Sequence, residues 1–147
     1  MIILDTDHLT VLRYSEHRSY STLSRRLIVA GGNPITTTII NVEEQMRGWL
    51  AEIHRHQPFL AQRLAYERLQ DMIDFFADWM VLRVDFPSIA IHDQLKSHRL
   101  RIGSQDLKIA SIALANGALL LSANLVEFQR VPGLRVEDWL VDEEDRE

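Results

Sequence analysis

Short apolar or Thr/Ile-rich runs alternate along this chain with longer segments whose apolar side chains recur at helical spacing. Met1–Leu4 is the first such run, and Asp5 stops it. Ile35–Ile40, Met80–Val84, Ala118–Ser122 and Leu134–Glu137 have the same strand-like character. Between them, Tyr20, Leu23 and Leu27 mark one helix, broken by Gly31-Gly32-Asn33-Pro34. Met46, Trp49, Leu50 and Ile53 mark a second that ends near Pro58, and Ala65, Leu69, Met72, Phe76 and Met80 lie on the stripe of a third. Asp85-Phe86-Pro87-Ser88 is a turn from which Ser88 is expected to cap a helix running through Leu95. Leu107–Asn116 is a small-residue-rich helix closed by Gly117. Strands separated by helices leave little room for hairpins, so the expected fold is α/β, with a mainly parallel sheet of about five strands flanked by helices.

With 147 residues and no repeat or linker, the chain is expected to form one domain over residues 1–140, followed by an acidic tail over 141–147. The net charge of −5 argues mildly against a nucleic-acid partner. That tail, however, holds Asp142, Glu143, Glu144, Asp145 and Glu147 against the single base Arg146. The body is therefore close to neutral, and overall charge decides little. The absence of cysteine excludes disulfides and thiolate–zinc sites and fits a reducing compartment. No apolar run approaches the roughly 20 residues that a membrane span needs. The N-terminus also lacks a basic stretch leading into an apolar block. A cytoplasmic protein without membrane contact is expected.

In a parallel α/β sheet, ligands gather at the carboxyl ends of the strands. Asp5 ends the first strand, Glu44 opens the helix after the second, and Asn124 lies just past the fourth. Asp106 opens the helix leading into the fourth strand and reaches the others only if its connection folds back. Carboxylates brought together repel, and each takes up a proton unless a cation neutralises them. A hard divalent ion such as Mg²⁺, which prefers oxygen donors, would do so and would suit phosphodiester hydrolysis. Ordinary roles are equally available to each residue. Asp is a common turn former, Asn41-x-x-Glu44 reads as a capping box, and an acid at a helix start favours the macrodipole. From the residues alone, a metal site and simple capping both stay open.

Three blocks carry a resemblance. Ile3-Leu4-Asp5-Thr6-Asp7-His8-Leu9, Ile39 through Gly48 (with Glu44-x-x-x-Gly48), and the long block from Arg101 to Trp139 resemble the PIN-domain family, specifically its VapC toxin branch. The last block contains Gly103-Ser104-Gln105-Asp106, Ser122-Ala123-Asn124 and Val131-Pro132-Gly133-Leu134. The match spans nearly the whole chain and is least distinctive from Glu52 to Arg99. It implies a PIN-like domain and an endoribonuclease using Mg²⁺, or Mn²⁺ in its place. The ion would be held by Asp5, Glu44 and Asp106, with Asp5 and Asp106 as direct ligands. Water would attack the phosphodiester of an RNA substrate, often a tRNA in this family. The resemblance further implies a cognate VapB-like antitoxin that inserts a peptide into the groove, and a homodimer.

Many relatives carry a fourth acid where Asn124 stands. Asn supplies no charge, although its carbonyl still accepts a hydrogen bond. Glu127 is the acid that would compensate, and a surface or capping role is its alternative. Asp7 is expected to support the ligands rather than be one, and Ser122 either bonds a carboxylate or closes its strand. His8, near Asp5, is expected at the surface or in a turn. The six histidines show no metal spacing, which disfavours zinc. Arg13, Arg47, Arg99, Arg101 and Lys108 flank the acids in sequence and either meet phosphates or are solvated charges. A phospho-receiver domain would need a lysine after its last strand, and none follows Lys108. A PIN-like module that binds RNA or protein without hydrolysis stays open because of Asn124.

Overall fold

A computed structural model describes residues 1–142. Of the expected tail, only Val141 and Asp142 fall among the described residues. Five strands, β1 (Ile2–Leu4), β2 (Ile35–Thr38), β3 (Met80–Leu82), β4 (Leu119–Leu121) and β5 (Arg135–Glu137), form one sheet in the order β3-β2-β1-β4-β5. Every neighbouring pair is parallel, with Ile3 beside Thr36 on one side and Leu120 on the other. Seven helices flank the sheet among the described residues: α1 (Thr6–Arg13), α2 (Tyr20–Val29), α3 (Ile39–Arg55), α4 (Phe59–Ala77), α5 (Phe86–Ser97), α6 (Ser104–Ala115) and α7 (Leu125–Phe128). The chain is a single α/β domain of the expected class.

The order of the strands explains the division of the core. From β1 the chain steps outward to β2 and β3, then returns to the far side of β1 for β4 and β5. Right-handed crossovers in opposite directions place helices on opposite faces. Alternate strand residues accordingly enter different cores. Ile2, Leu4 and Leu121 join Leu9, Leu23, Met72 and Phe76, whereas Ile3 and Leu120 join Leu95, Ile109, Ile112 and Phe128. A strand covered on both faces is mostly apolar, as Ile2–Leu4 and Leu119–Leu121 are, whereas the buried Thr36 and Thr37 of β2 satisfy their hydroxyls by donating to the Ile2 and Leu4 carbonyls. The connections leaving β1 and β4 diverge, and the crevice between them is the topological switch point of the sheet.

Local chemistry moves several boundaries from their expected places. Asp5 does not lead into a loop. It is the N-cap of α1, a helix that the sequence reading left out, although Leu9 and Leu12 stand three apart behind a capping acid. β2 stops at Thr38 because the Thr38 side chain accepts from the Asn41 N–H and caps α3. The Asn41-x-x-Glu44 capping box is therefore not formed, and Glu44 sits in the second turn of α3 instead of opening it. Met80 belongs to β3 and not to the stripe of α4. Asp85, not Ser88, caps α5, accepting from both the N–H and the hydroxyl of Ser88. Gly117, just past the Asn116 C-cap of α6, has a φ of 58°, as a closing glycine should. Among the described residues no helix is long and apolar enough to cross a membrane.

The reassigned cap of α5 can be checked by denaturation. Asp85→Ala is expected to cost about 1 kcal/mol, the usual value of an N-cap side chain. Ser88→Ala removes a donor but leaves the cap acceptor in place, so urea melts should show the smaller loss for it.

Candidate active site

The crevice between β1 and β4 is floored by a nearly buried carboxylate. Asp5 follows β1 directly, and its backbone N–H continues the sheet ladder by donating to the Leu121 carbonyl at 2.9 Å. Its side chain is 8% exposed and is met by three donors. Oδ1 accepts from the Thr6 N–H at 2.9 Å and from Asn41 Nδ2 at 2.7 Å, while Oδ2 accepts from Ser122 Oγ at 2.7 Å. The first donor comes from α1, the second from α3 and the third from the end of β4. Ser122 thus bonds a carboxylate, the first of its two expected roles.

Asn41 is the positioning residue that the sequence reading missed. It is fully buried, and its Oδ1 accepts from Thr38 Oγ1 at 2.7 Å. Its amide NH₂ reaches Asp5 and, at 3.3 Å, Thr6 Oγ1. Flipping the amide would set oxygen against carboxylate, so one orientation is selected. The available signal was a polar residue between Ile40 and Val42 at the start of an otherwise core-facing helix.

Glu44 lies one turn further along α3, where its Oε2 accepts from Thr6 Oγ1 at 3.3 Å. From the other side, α6 presents Asp106 in its first turn. The loop after β4 supplies Asn124, whose backbone N–H donates to Ser122 Oγ at 3.1 Å. Asn124 Nδ2 donates to Asp106 Oδ2 at 2.9 Å and to Glu127 Oε2 at 3.3 Å. Glu127 also accepts from the Gly103 N–H at 3.3 Å, so it meets the start of α6 as well as the acid on it.

The charge state of this crevice follows from burial and mutual repulsion. Burial raises the Asp5 carboxyl above its ordinary range, and the nearby Asp7 charge adds to the rise. Burial and then the Asp5 charge raise Glu44. Asp106 is pushed up to about 6 by burial, the Asp5 charge and Glu127. Glu127 itself is held low by the Gly103 N–H and by Asn124. None of Asp5, Glu44 and Asp106 forms an ion pair with Lys, Arg or His among the described residues. The three carboxyls at the crevice are therefore not ion-paired, and Arg47 offsets the charge on Glu44 only in part. As they stand, no three His, Cys, Asp or Glu side chains among the described residues are grouped closely enough to hold a metal ion.

Asp7 and His8 are turned elsewhere. Asp7 accepts from the Ala123 N–H at 2.9 Å and from both the backbone and the ring of His8. Burial opposes its charge, but the His8 ring and these N–H groups outweigh burial and hold the carboxyl low. His8, expected at the surface or in a turn, is fully buried. Its Nε2 accepts from the Trp139 N–H at 3.1 Å, so Nδ1 carries the proton that faces Asp7. The rotation of α1 is the reason: a helix starting at Thr6 turns residue 8 into the core.

No model of a protein family matches the sequence. The chain is 34% identical over 79 residues to Ribonuclease VapC2 of Rickettsia felis, covering 50% of this chain and 58% of that protein. It is 33% identical over 81 residues to the tRNA(fMet)-specific endonuclease VapC of Salmonella typhimurium, covering 52% and 61%. The matched stretches thus span about three fifths of the length of these relatives. Among solved structures, VapBC2 from Rickettsia felis, bound to a DNA fragment from its promoter, superposes with a TM-score of 0.72 at 26% identity, over 95% of this chain and 99% of that one. VapBC-1 from nontypeable Haemophilus influenzae gives a TM-score of 0.71 at 23% identity, over 96% and 100%.

Two variants test the geometry. Asn41→Ala strips a donor from Asp5 and removes the acceptor of the Thr38 hydroxyl proton, so urea unfolding should show a loss of about 1–3 kcal/mol. Asp106 holds its proton more tightly folded than unfolded, so its ionisation costs stability as pH rises from 3.8 through about 6. In EDTA, Asp106→Asn should therefore stabilise by about 1 kcal/mol near neutral pH, after discounting for a half-exposed group. The gain should vanish below pH 3.8. Thermal melts across that range read the sign.

Proposed function

We propose, from the premise that this chain is a VapC-type protein of PIN-domain fold, that it is a divalent-metal-dependent endoribonuclease and the toxin of a toxin–antitoxin pair. The observation that supports the proposal is that Asp5, Glu44 and Asp106 border the switch-point crevice with raised carboxyl pKa values, the Asp5 charge acting on both of the others, and with no cation ion-paired to them among the described residues. Oxygen-only donors with excess negative charge fit a hard ion, and no thiolate or histidine competes in the crevice. When bound, Mg²⁺ or Mn²⁺ supplies Lewis acidity toward a phosphoryl oxygen and acidifies water.

The side chains divide the remaining work. Asp5, fixed by three donors, is a rigid ligand that needs no reorganisation. Asp106 is the second direct ligand, and it must give up its proton for the purpose. Glu44 completes the set from α3, tethered by Thr6. Asn124 adds no charge; its NH₂ orients Asp106 and keeps Glu127 beside it, so Glu127 supplies the fourth acid. Protons and cation compete for these carboxyls, so activity should fall as pH drops through about 6.

Similarity to a ribonuclease and to a tRNA-specific endonuclease supports RNA as substrate, with tRNA as its first candidate. Similarity to VapBC structures supports a VapB-like antitoxin. Ile28, Val29, Phe59, Leu60 and Leu64 are exposed on α2 and α4 and leave apolar surface for the antitoxin or a second copy of the chain. A cytoplasmic location belongs to the same proposal.

A second reading, binding without hydrolysis, is favoured by the amide at position 124 and by the absence of three grouped ligands among the described residues. RNA cleavage with Mg²⁺ or Mn²⁺ against EDTA separates the two. Cleavage should require the ion and fall at least about 100-fold in Asp5→Asn and in Asp106→Asn, the scale of losing a group that supports a metal or an oxyanion. Cleavage surviving chelation and both substitutions would move the chemistry elsewhere. Induced expression in a bacterium should arrest growth, with Asp5→Asn harmless.

A further inference from the structure

The structure sorts the five cations that flank the acids in sequence. Arg13 donates to Gln45 and lies 5.3 Å over the Phe75 ring. Arg47 pairs with Glu43 at 3.2 Å, and Lys108 donates to Gln105. Arg99 and Arg101 are exposed and make no ion pair or side-chain hydrogen bond with any described residue.

These two cations share one face of the connection between α5 and α6. Leu100 and Ile102 pack into the core beside α6, so the alternating side chains of Arg99 and Arg101 face outward. Arg99 holds a φ of 51°, a left-handed conformation that a side chain rarely adopts and that glycine would take more easily. Two residues past Arg101, the Gly103 N–H meets Glu127, and Asp106 lies in the next helical turn. Arg130 donates to the Arg101 carbonyl and so stands alongside, and Lys96, exposed in the last turn of α5, extends the line. Among the described residues no acid is ion-paired to Lys96, Arg99 or Arg101, and Arg130 acts on Glu127 through its charge without forming an ion pair.

We infer that this connection is a phosphate-binding ridge that leads the backbone of single-stranded RNA into the acid crevice. The inference rests on RNA being the substrate proposed for that crevice. An RNA chain brings one negative charge per nucleotide toward a cluster of carboxyls that repels it. A metal ion there would neutralise only the phosphate at the cut. The flanking phosphates need cations outside the crevice but contiguous with it, and the ridge supplies them along one side. Guanidinium groups suit phosphate oxygens because they donate two parallel hydrogen bonds.

The test is binding of a fluorescent single-stranded RNA of about 20 nucleotides to the full chain in EDTA, read by anisotropy across a salt series. The double variant Arg99→Gln/Arg101→Gln should bind about tenfold more weakly. Its log–log salt slope should shrink by about 1.4, at ~0.7 per phosphate contact on a single strand. Arg63→Gln on α4, whose native partner is Glu67, should change neither quantity. An unchanged affinity and slope in a folded double variant would overturn the ridge, as would wild-type protein that does not bind the RNA. A glutamate-rich peptide weakened by the same variants while RNA is unaffected would reassign the surface to an acidic protein partner and overturn the proposal as well. Cleavage of the same RNA with Mg²⁺ tests the nuclease separately. Intact, ridge-dependent binding without cleavage overturns the hydrolase reading alone. Cleavage whose KM ignores the double variant overturns the ridge alone.

Discussion

Withdrawing the Asp5 carboxylate from water would cost several kcal/mol if nothing replaced its hydration. Donors from α1, α3 and the end of β4 replace it, and each has to arrive from a different part of the chain. Satisfying this one group therefore fixes the relative placement of β1, β4 and α3 at the crevice. Thr38 and Asn41 extend the requirement: the residue that ends β2 also orients the amide that holds Asp5. The same network presents Glu44 through Thr6. A site built this way is rigid on the β1 side.

The opposite wall follows another logic. Asp106 and Glu127 lie close enough that their carboxyl shifts run in opposite directions, Asp106 up and Glu127 down, with Asn124 donating to both. Charged neighbours shift that pair, whereas Asp5 is held by neutral donors.

Helical rotation explains why neighbours in the sequence have unrelated roles. Successive residues of α1 point about 100° apart. Asp5 caps the helix toward the crevice, Asp7 turns to the β4–α7 loop, and His8 turns into the core to hold the backbone at Trp139. Trp139 is flanked in turn by Arg26, whose guanidinium lies 4.9 Å from its ring, so the segment after β5 is fastened to α1 and α2. Once α1 is overlooked, His8 reads as a surface histidine.

Periodicity made the parallel sheet, its five strands and most helices legible in the sequence, because strands buried on two faces favour apolar and β-branched residues. The acids at the strand ends were legible for the same reason: a parallel sheet sends its carboxyl ends to one edge. Caps were misread at Thr38 and Asp85, where a side chain chooses between two backbone partners three residues apart. The contacts of Asn41 with Asp5, of Glu127 with Gly103 and of His8 with Trp139 were illegible, since each joins residues more than twenty apart in the chain. The linear order of residues by itself determined the layers and which acids could gather. Only the tertiary structure decided which donors hold them, which carboxyls are shifted up or down, and which arginines form no ion pair among the described residues. Hydrogen bonds and electrostatics act through distances in space that spacing along a chain does not encode.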